Sequence, residues 1–530
     1  MTGFRAPPCL RPCVLLVAGD PSLRAAPGAA APPVYPRRVT RASAPLRRPG
    51  LGVTAGLIGW FIVVELVSGI LQGYYVPLFS DIVIALDIHD SDVNWFEAGQ
   101  LLLSALVLPV LAKLGDMFGH KKILLVAAAL TAGASWWLVF ADSFWTFLLA
   151  WSLQGFYVVW LPLEIALIFE RGRRQAHGVS RTRRAAGLLV VGLQAGAIMG
   201  ALAAGRLFAA SGEDLRLTLM IPAIAVTLVT LVIWLGVPES EPVPNRRLDT
   251  GGFVILAFAL LLVTGGLSFL RVPDGPGAGL VAALVAGGIA AFAVFVWYEL
   301  RQPDPAIDIR VLIQPHMWPV QATAFLVGIS LLGAQGPLTT YAGTDSSLGY
   351  GLGLDATDRS NVIGVYLVSL IVGAVLFALT SRRASPRLML IGAALLVGIG
   401  YALFLPFHLE LWQVLLNLSI AGIGSGALVG AMPAAAAAAA PRGQTGIASA
   451  LTNTTKTIGG TFASAIFGVV LAGSAGAAVA STAAPLLGYL TVWTVCAAGG
   501  FLAAVLLMFV PRVAFADPDA EAAAGQAQVR

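Results

Sequence analysis

The stretch "LAKLGDMFGHKK", residues 111–122, sets Lys113, Asp116, His120, Lys121 and Lys122 around two glycines. Apolar chain flanks it: "EAGQLLLSALVLPV" (97–110) before and "ILLVAAALTAGASWWLVF" (123–140) after. A run of about 20 apolar residues is long enough to cross a bilayer as a helix. The stretch therefore reads as a short charged turn between two membrane spans, and the same alternation continues along the chain.

Of 530 residues, 58% are hydrophobic and 11% charged, and mean hydropathy is +0.85. A soluble domain averages about a quarter charged residues. The chain is therefore expected to be an all-α polytopic membrane protein. Apolar runs fall near 53–77, 93–114, 121–141, 144–169, 186–209, 215–236, 252–270, 278–298, 317–341, 359–380, 387–406, 409–432, 446–470 and 485–510, about fourteen spans. Residues 1–50, rich in Pro, Ala and Arg, read as a disordered N-terminal extension, or as an over-called start of the reading frame. The rest divides into a six-helix bundle (51–236), a linker with two additional helices (237–315), a second six-helix bundle (316–512) and a short tail (513–530).

Basic residues orient the layout. With the N-terminus in the cytoplasm, Arg206, Arg216, Arg271 and Arg359 alone of the 32 Lys and Arg fall in outside loops, while Lys456 lies within the membrane. The cluster Arg171, Arg173, Arg174, Arg181, Arg183 and Arg184 then faces inward, and both termini are cytoplasmic. The net charge of +5 is thus a matter of orientation, and nucleic acid is not an expected partner. Cys9, Cys13 and Cys496 make neither a disulfide framework nor a metal site. No phosphate-binding loop or HExxH pattern is present, so no cofactor, metal or enzymatic chemistry is indicated. The bilayer, a small molecule and protons are the expected partners of a monomer in the cytoplasmic membrane. The Ala, Gly and Arg bias points to a GC-rich bacterium.

The halves echo each other. Residues 123–140 resemble 388–405, 152–159 resemble 419–426, and 187–200 resemble 446–459. Repeats of this kind are typical of secondary transporters. The opening stretch also resembles the loop between spans 2 and 3 of the major facilitator superfamily, Gly-x-Leu-Ala-Asp-Arg-x-Gly-Arg-Lys. Leu114, Asp116, Gly119 and Lys121 match; His120 takes an Arg position, Ala112 the first Gly and Met117 the first Arg. Gly119 permits a tight turn, and Asp116 can face a helix N-terminus or a cation across an inner gate. "VPES" (237–240), the two extra spans before "ELRQPDPAIDIRVL" (299–312) and "GIASALTNTTKTIGG" (446–460) resemble the fourteen-span drug:proton antiporter branch. That resemblance implies two six-helix bundles plus two central helices, and proton-driven efflux.

Three spans depart from the branch. Trp151 stands where its span-4 motif has an Arg tied to proton coupling. In span 5, Gly192, Gly196 and Gly200 match, but Ala197 and Ala201 replace a Pro and a Gly, so close packing is kept and a proline kink is lost. In span 1, Ser68 stands where the branch often carries Asp.

Ionisable groups inside spans are functional candidates by default. Glu65 shares a face of span 1 with Ser68, Gly69 and Gln72, and stands in for the absent Asp as proton carrier; the alternative is a hydrogen-bonded structural Glu. Glu164 shares a face of span 4 with Gln154, Tyr157 and Leu161, after Pro162; it is either a second carboxylate or an inner-end residue reaching the arginine cluster. Glu97 reads as an outer-gate or helix-start residue within reach of water. Lys456 lies about 15 Å into span 13, on one face with Asn453, Thr457, Gly460 and Ser464. It reads as a coupling cation with Glu65 as first candidate partner, or as a member of a static pair. The expected function is proton-coupled export of hydrophobic or cationic small molecules. The alternative is a facilitator or importer of a small metabolite without antiport, which the altered span-4 and span-5 motifs favour.

Overall fold

The computed structural model describes residues 55–172, 178–240, 248–271, 277–303, 305–381, 385–439, 445–473 and 482–509. The extension 1–50, the tail 513–530, Arg173, Arg174 and the side chains of Arg181, Arg183 and Arg184 lie outside that set. Among the described residues there are helices and no strands, and fourteen helical spans are long and apolar enough to cross a membrane. Spans 1–6 are Gly56–Leu86, Asp90–Phe118, His120–Val139, Phe144–Arg171, Ala185–Ala210 and Leu215–Gly236. Spans 7 and 8 are Thr250–Ser268 and Ala278–Glu299. Spans 9–14 are Trp318–Gly343, Ala356–Thr380, Pro386–Leu403, Leu411–Ala437, Leu451–Gly473 and Leu486–Phe509.

The ends are set by local chemistry. Ser143 and Thr146 form a capping box at the start of span 4. Asp214, Asp249 and Asp355 each accept a backbone N–H at the starts of spans 6, 7 and 10. Between spans 2 and 3 the chain reverses at Gly119, whose φ of +105° is strained for any residue with a Cβ.

Packing repeats with an offset of eight spans. Span 1 lies on span 5 as span 9 lies on span 13; span 3 lies on span 6 as span 11 lies on span 14. Each of the three echoed segments sits on spans related by that offset, 3 and 11, 4 and 12, 5 and 13. The first and last six spans form two bundles, which meet where span 2 packs on span 13 and span 5 on span 10. Spans 7 and 8 form a hairpin whose first member touches spans 2 and 13. Outward faces remain apolar, with Val191, Leu228, Trp234, Ile289 and Leu379 exposed, as lipid-facing helices require.

Three spans are broken. Span 1 passes from Ala55–Tyr74 through a 3₁₀ turn, Val76–Leu78, into Phe79–Leu86. It thus extends nine residues beyond the expected end at 77. Pro77 sits at the first positions of the 3₁₀ turn, where its missing N–H breaks no helical bond, and the helix resumes. Span 4 has a 3₁₀ segment, Gly155–Val159, ahead of Pro162, and span 9 divides into Trp318–Leu331 and Gln335–Gly343 around Pro337. Each proline removes the donor for the carbonyl four residues earlier. Span 5, with Ala197 where the related branch has Pro, is part of one continuous helix, Gly178–Ala210.

Candidate functional site

Glu65 is positioned by the contact between spans 1 and 5. A Cβ added to Gly196 would lie 1.9 Å from the carbonyl oxygen of Leu66, and one added to Gly69 1.9 Å from that of Leu193. Gly192 and Gly200 lie against Ile62 and Ile70 in the same row. Glycine is therefore needed for the backbones to approach this closely. The approach fixes the rotation of span 1 and turns Glu65 toward span 4. There it faces Glu164, with the two carboxyls within hydrogen-bonding reach of each other. Both residues are 0% exposed, and neither accepts a hydrogen bond from a donor among the described residues. An oxygen–oxygen contact between two carboxyls is a hydrogen bond only when one of them carries a proton.

This corrects two expectations. Lys456 is not the partner of Glu65, because the rotation of span 1 points the carboxyl into its own bundle. Glu164 accepts no hydrogen bond from Arg171, the member of the arginine cluster whose side chain is described; Arg171 donates to the Glu239 carbonyl at 3.1 Å. Ser68 is buried beside the pair's helix face, whereas Gln72, two turns beyond Glu65 on the same face, is exposed.

Gln154 ends the first helical piece of span 4 and ties three spans together. Its amide donates to Tyr75 Oη and to Ser135 Oγ, both at 2.9 Å. Beside it Trp151 is buried against Tyr75, Phe147 and Phe79, with ring centroids 5.0, 5.9 and 5.6 Å apart. An aromatic cluster thus fills the place where the related branch has an arginine.

In the second bundle, Lys456 makes no ion pair or hydrogen bond among the described residues. It is surrounded by protein yet only half-buried to water, and Asn453, one turn away, is exposed. Of the other polar-face members, Thr457 and Ser464 are buried, and Gly460 packs on Leu332 and Leu101. Tyr157, in the 3₁₀ segment of span 4, is likewise enclosed but accessible, with its hydroxyl unbonded among the described residues.

The 111–122 stretch holds the first bundle together at one face. His120 Nε2 lies 3.3 Å from Asp116 and its Nδ1 3.9 Å from Glu170. Its backbone N–H donates to Ser240 Oγ at 2.7 Å. Lys121 donates to the carbonyl of Trp234 at 2.8 Å, in the last turn of span 6, where a cation also complements the helix dipole. Leu114 packs at the edge of the core. These partners of His120 and Lys121 all belong to spans 2, 4 and 6 or to Ser240.

The Major Facilitator Superfamily profile matches residues 61–464. The chain belongs to that superfamily of transporters. A probable actinorhodin transporter of Streptomyces coelicolor is 26% identical over 84% of this chain and 75% of its own length. The drug efflux pump JefA of Mycobacterium tuberculosis is 25% identical over 74% of this chain and 76% of its own. Such relatives put the transporter in the drug-efflux-like branch. An auto-inhibited peptide transporter of the POT family shares the fold, with a TM-score of 0.60 at 16% identity over 86% of this chain and 96% of its own.

At the face opposite the motif, polar contacts join the transporter's two bundles. Arg359 of span 10 pairs with Asp81 of span 1 at 2.5 Å, and donates to the carbonyls of Pro77 and Leu354 at 2.9 Å. Asp90 accepts from Tyr489 Oη and from the N–H of Ala484, both at 3.2 Å. Ser360 Oγ accepts from the N–H of Gly205, and Ser80 donates to the carbonyl of Thr339. Sequence reasoning assigned Arg359 to an outside loop and did not single out Asp81; the structure places them as a bridge, with Arg359 buried and Asp81 half-buried. Glu97, expected within reach of water, is buried against the N–H of Gly336 at the break of span 9, because the second bundle covers it.

Proposed function

We propose that the transporter exports hydrophobic small molecules from the cytoplasm in exchange for protons, from the cytoplasmic membrane of a bacterium, with both termini inside. The observation that carries proton exchange is the Glu65–Glu164 pair, two buried carboxyls whose sole partner among the described residues is each other. Such a pair holds one proton in common while sealed. It exchanges that proton when span 4 moves and water reaches it. In the orientation given by the Lys and Arg bias, the face bridged by Asp81–Arg359 is the outer one, so this state serves the cytoplasm. Rocking of one bundle against the other exchanges the faces. The efflux-type names of the relatives support export. A cationic substrate loses support, because the carboxylate expected to attract it has no accessible surface.

The test is substrate-dependent dequenching of a pH-sensitive dye in inverted vesicles, with protein at the membrane confirmed by immunoblot. Glu65→Gln and Glu164→Gln should each abolish it. Undiminished proton movement in both variants would refute the role of the pair. Efflux in the wild type with no proton movement would favour the facilitator reading, to which Trp151 in the arginine position lends its weight.

A further inference from the structure

Lys456 is chemically odd in this protein. Among the described residues it is the one charged side chain at mid-membrane depth that keeps accessible surface. Glu65 and Glu164 are sealed against each other, and Glu97 is covered. An unpaired ammonium in the membrane interior costs several kcal/mol unless water or a counter-charge reaches it. Among the described residues it has neither a carboxylate partner nor a hydrogen bond. Lys456 lies deep in the protein and still keeps part of its surface accessible.

The neighbourhood fits a ligand. Span 9 packs backbone to backbone on span 13 at this level: a Cβ on Gly328 would fall 2.0 Å from the Lys456 carbonyl oxygen. The main chain at Lys456 is therefore fixed. Asn453 is exposed one turn away and offers both a donor and an acceptor. A cation on a fixed main chain, with an exposed amide one turn away, makes a receptor for a negatively charged group.

We infer that the transporter's substrates are amphiphilic organic anions, whose carboxylate or phenolate is held by Lys456 with Asn453 beside it. This rests on the reading of the chain as an exporter and deepens it by naming the charge of its cargo. It also assigns the two charged sites to separate tasks: the carboxyl pair in the first bundle carries the proton, and the ammonium in the second carries the substrate's charge.

The test uses the purified full-length transporter in lipid nanodiscs and three fluorescent congeners: anthracene-2-carboxylate, anthracene-2-carboxamide and 2-(aminomethyl)anthracene. The carboxylate should bind at least about tenfold more tightly than the carboxamide, and the ammonium congener weakest, as expected for one charge contact in a partly solvated site. Lys456→Gln should bring the carboxylate to the affinity of the carboxamide, whose own Kd stays unchanged; Lys456→Arg should keep the preference. Equal binding of the three congeners to the wild type, or a carboxylate preference that survives Lys456→Gln, would overturn the inference. If Lys456→Gln fails to give a monodisperse protein, the wild-type ranking and Lys456→Arg decide. Glu65→Gln separates the two readings. It should lose proton-linked transport and keep the anion preference, so failure of the proton reading leaves this measurement intact.

Discussion

Replacing Arg359 by Ala removes the strongest bridge between the bundles at the sealed face. The guanidinium is 5% exposed as a residue and holds Asp81, the Pro77 carbonyl and the Leu354 carbonyl. Two of those partners lie across the interface. Breaking a buried ion pair from one side costs about 3–5 kcal/mol, because the remaining charge is left without a partner. That cost falls on the sealed state alone, since opening exposes both groups to water. Each 1.4 kcal/mol is a factor of ten, so Arg359→Ala should raise the ratio of molecules open at this face to sealed ones by about two to three and a half powers of ten. Spin labels on Ala210→Cys and Ser347→Cys, exposed positions of the two bundles at this face, report the separation by pulsed electron resonance. Cys9→Ser and Cys13→Ser remove two native thiols, and Cys496 is buried. The label distance should lengthen in Arg359→Ala and in Asp81→Ala, with no further change in the double variant. An unchanged distance, or additive effects of the two substitutions, would refute the assignment of the pair as the bridge.

Two further substitutions test the packing. Gly196→Ala should lower the Tm in detergent, at a cost of about 1–3 kcal/mol from overpacking against the Leu66 carbonyl, whereas Gly192→Ala, whose Cβ would lie 3.3 Å from Ile62, should be close to wild type. Equal melting of the two would contradict the close approach of spans 1 and 5. Trp151→Arg, which restores the related branch's residue, should destabilise by at least about 3 kcal/mol and gain no proton coupling, since it empties an aromatic cluster and buries a cation. A Trp151→Arg protein as stable as the wild type would mean that the position opens to water.

Much of the architecture was legible because it depends on local chemistry. Span positions follow from apolar length, the 111–122 turn from Gly119 and its charges, and the close packing of span 5, though not its partner, from the spacing of Gly192, Gly196 and Gly200. Pairings between distant helices were not legible. Glu65 and Glu164 were each recognised as buried acids, but that they face each other depends on the rotation of two helices about a hundred residues apart. No periodicity within either helix encodes that. Lys456 was recognised, and its expected partner was wrong for the same reason. The Asp81–Arg359 bridge was hidden by Pro77, which read as a helix end, and by the position of Arg359 near the start of a span, where a basic residue looks like a loop charge.

The row of glycines between spans 1 and 5 has a mechanical consequence. With carbonyl oxygens of each helix seated in the glycine notches of the other, neither helix can slide or spin without lifting off its neighbour. The two behave as a single rod. Glu65, carried on that rod, cannot reach water by any twist of its own helix. The moving part must be the other side of the pair, where span 4 already has a 3₁₀ segment and a proline just before Glu164. On the proposed role of the pair, water would reach it by movement of span 4, with span 1 as the stationary anvil.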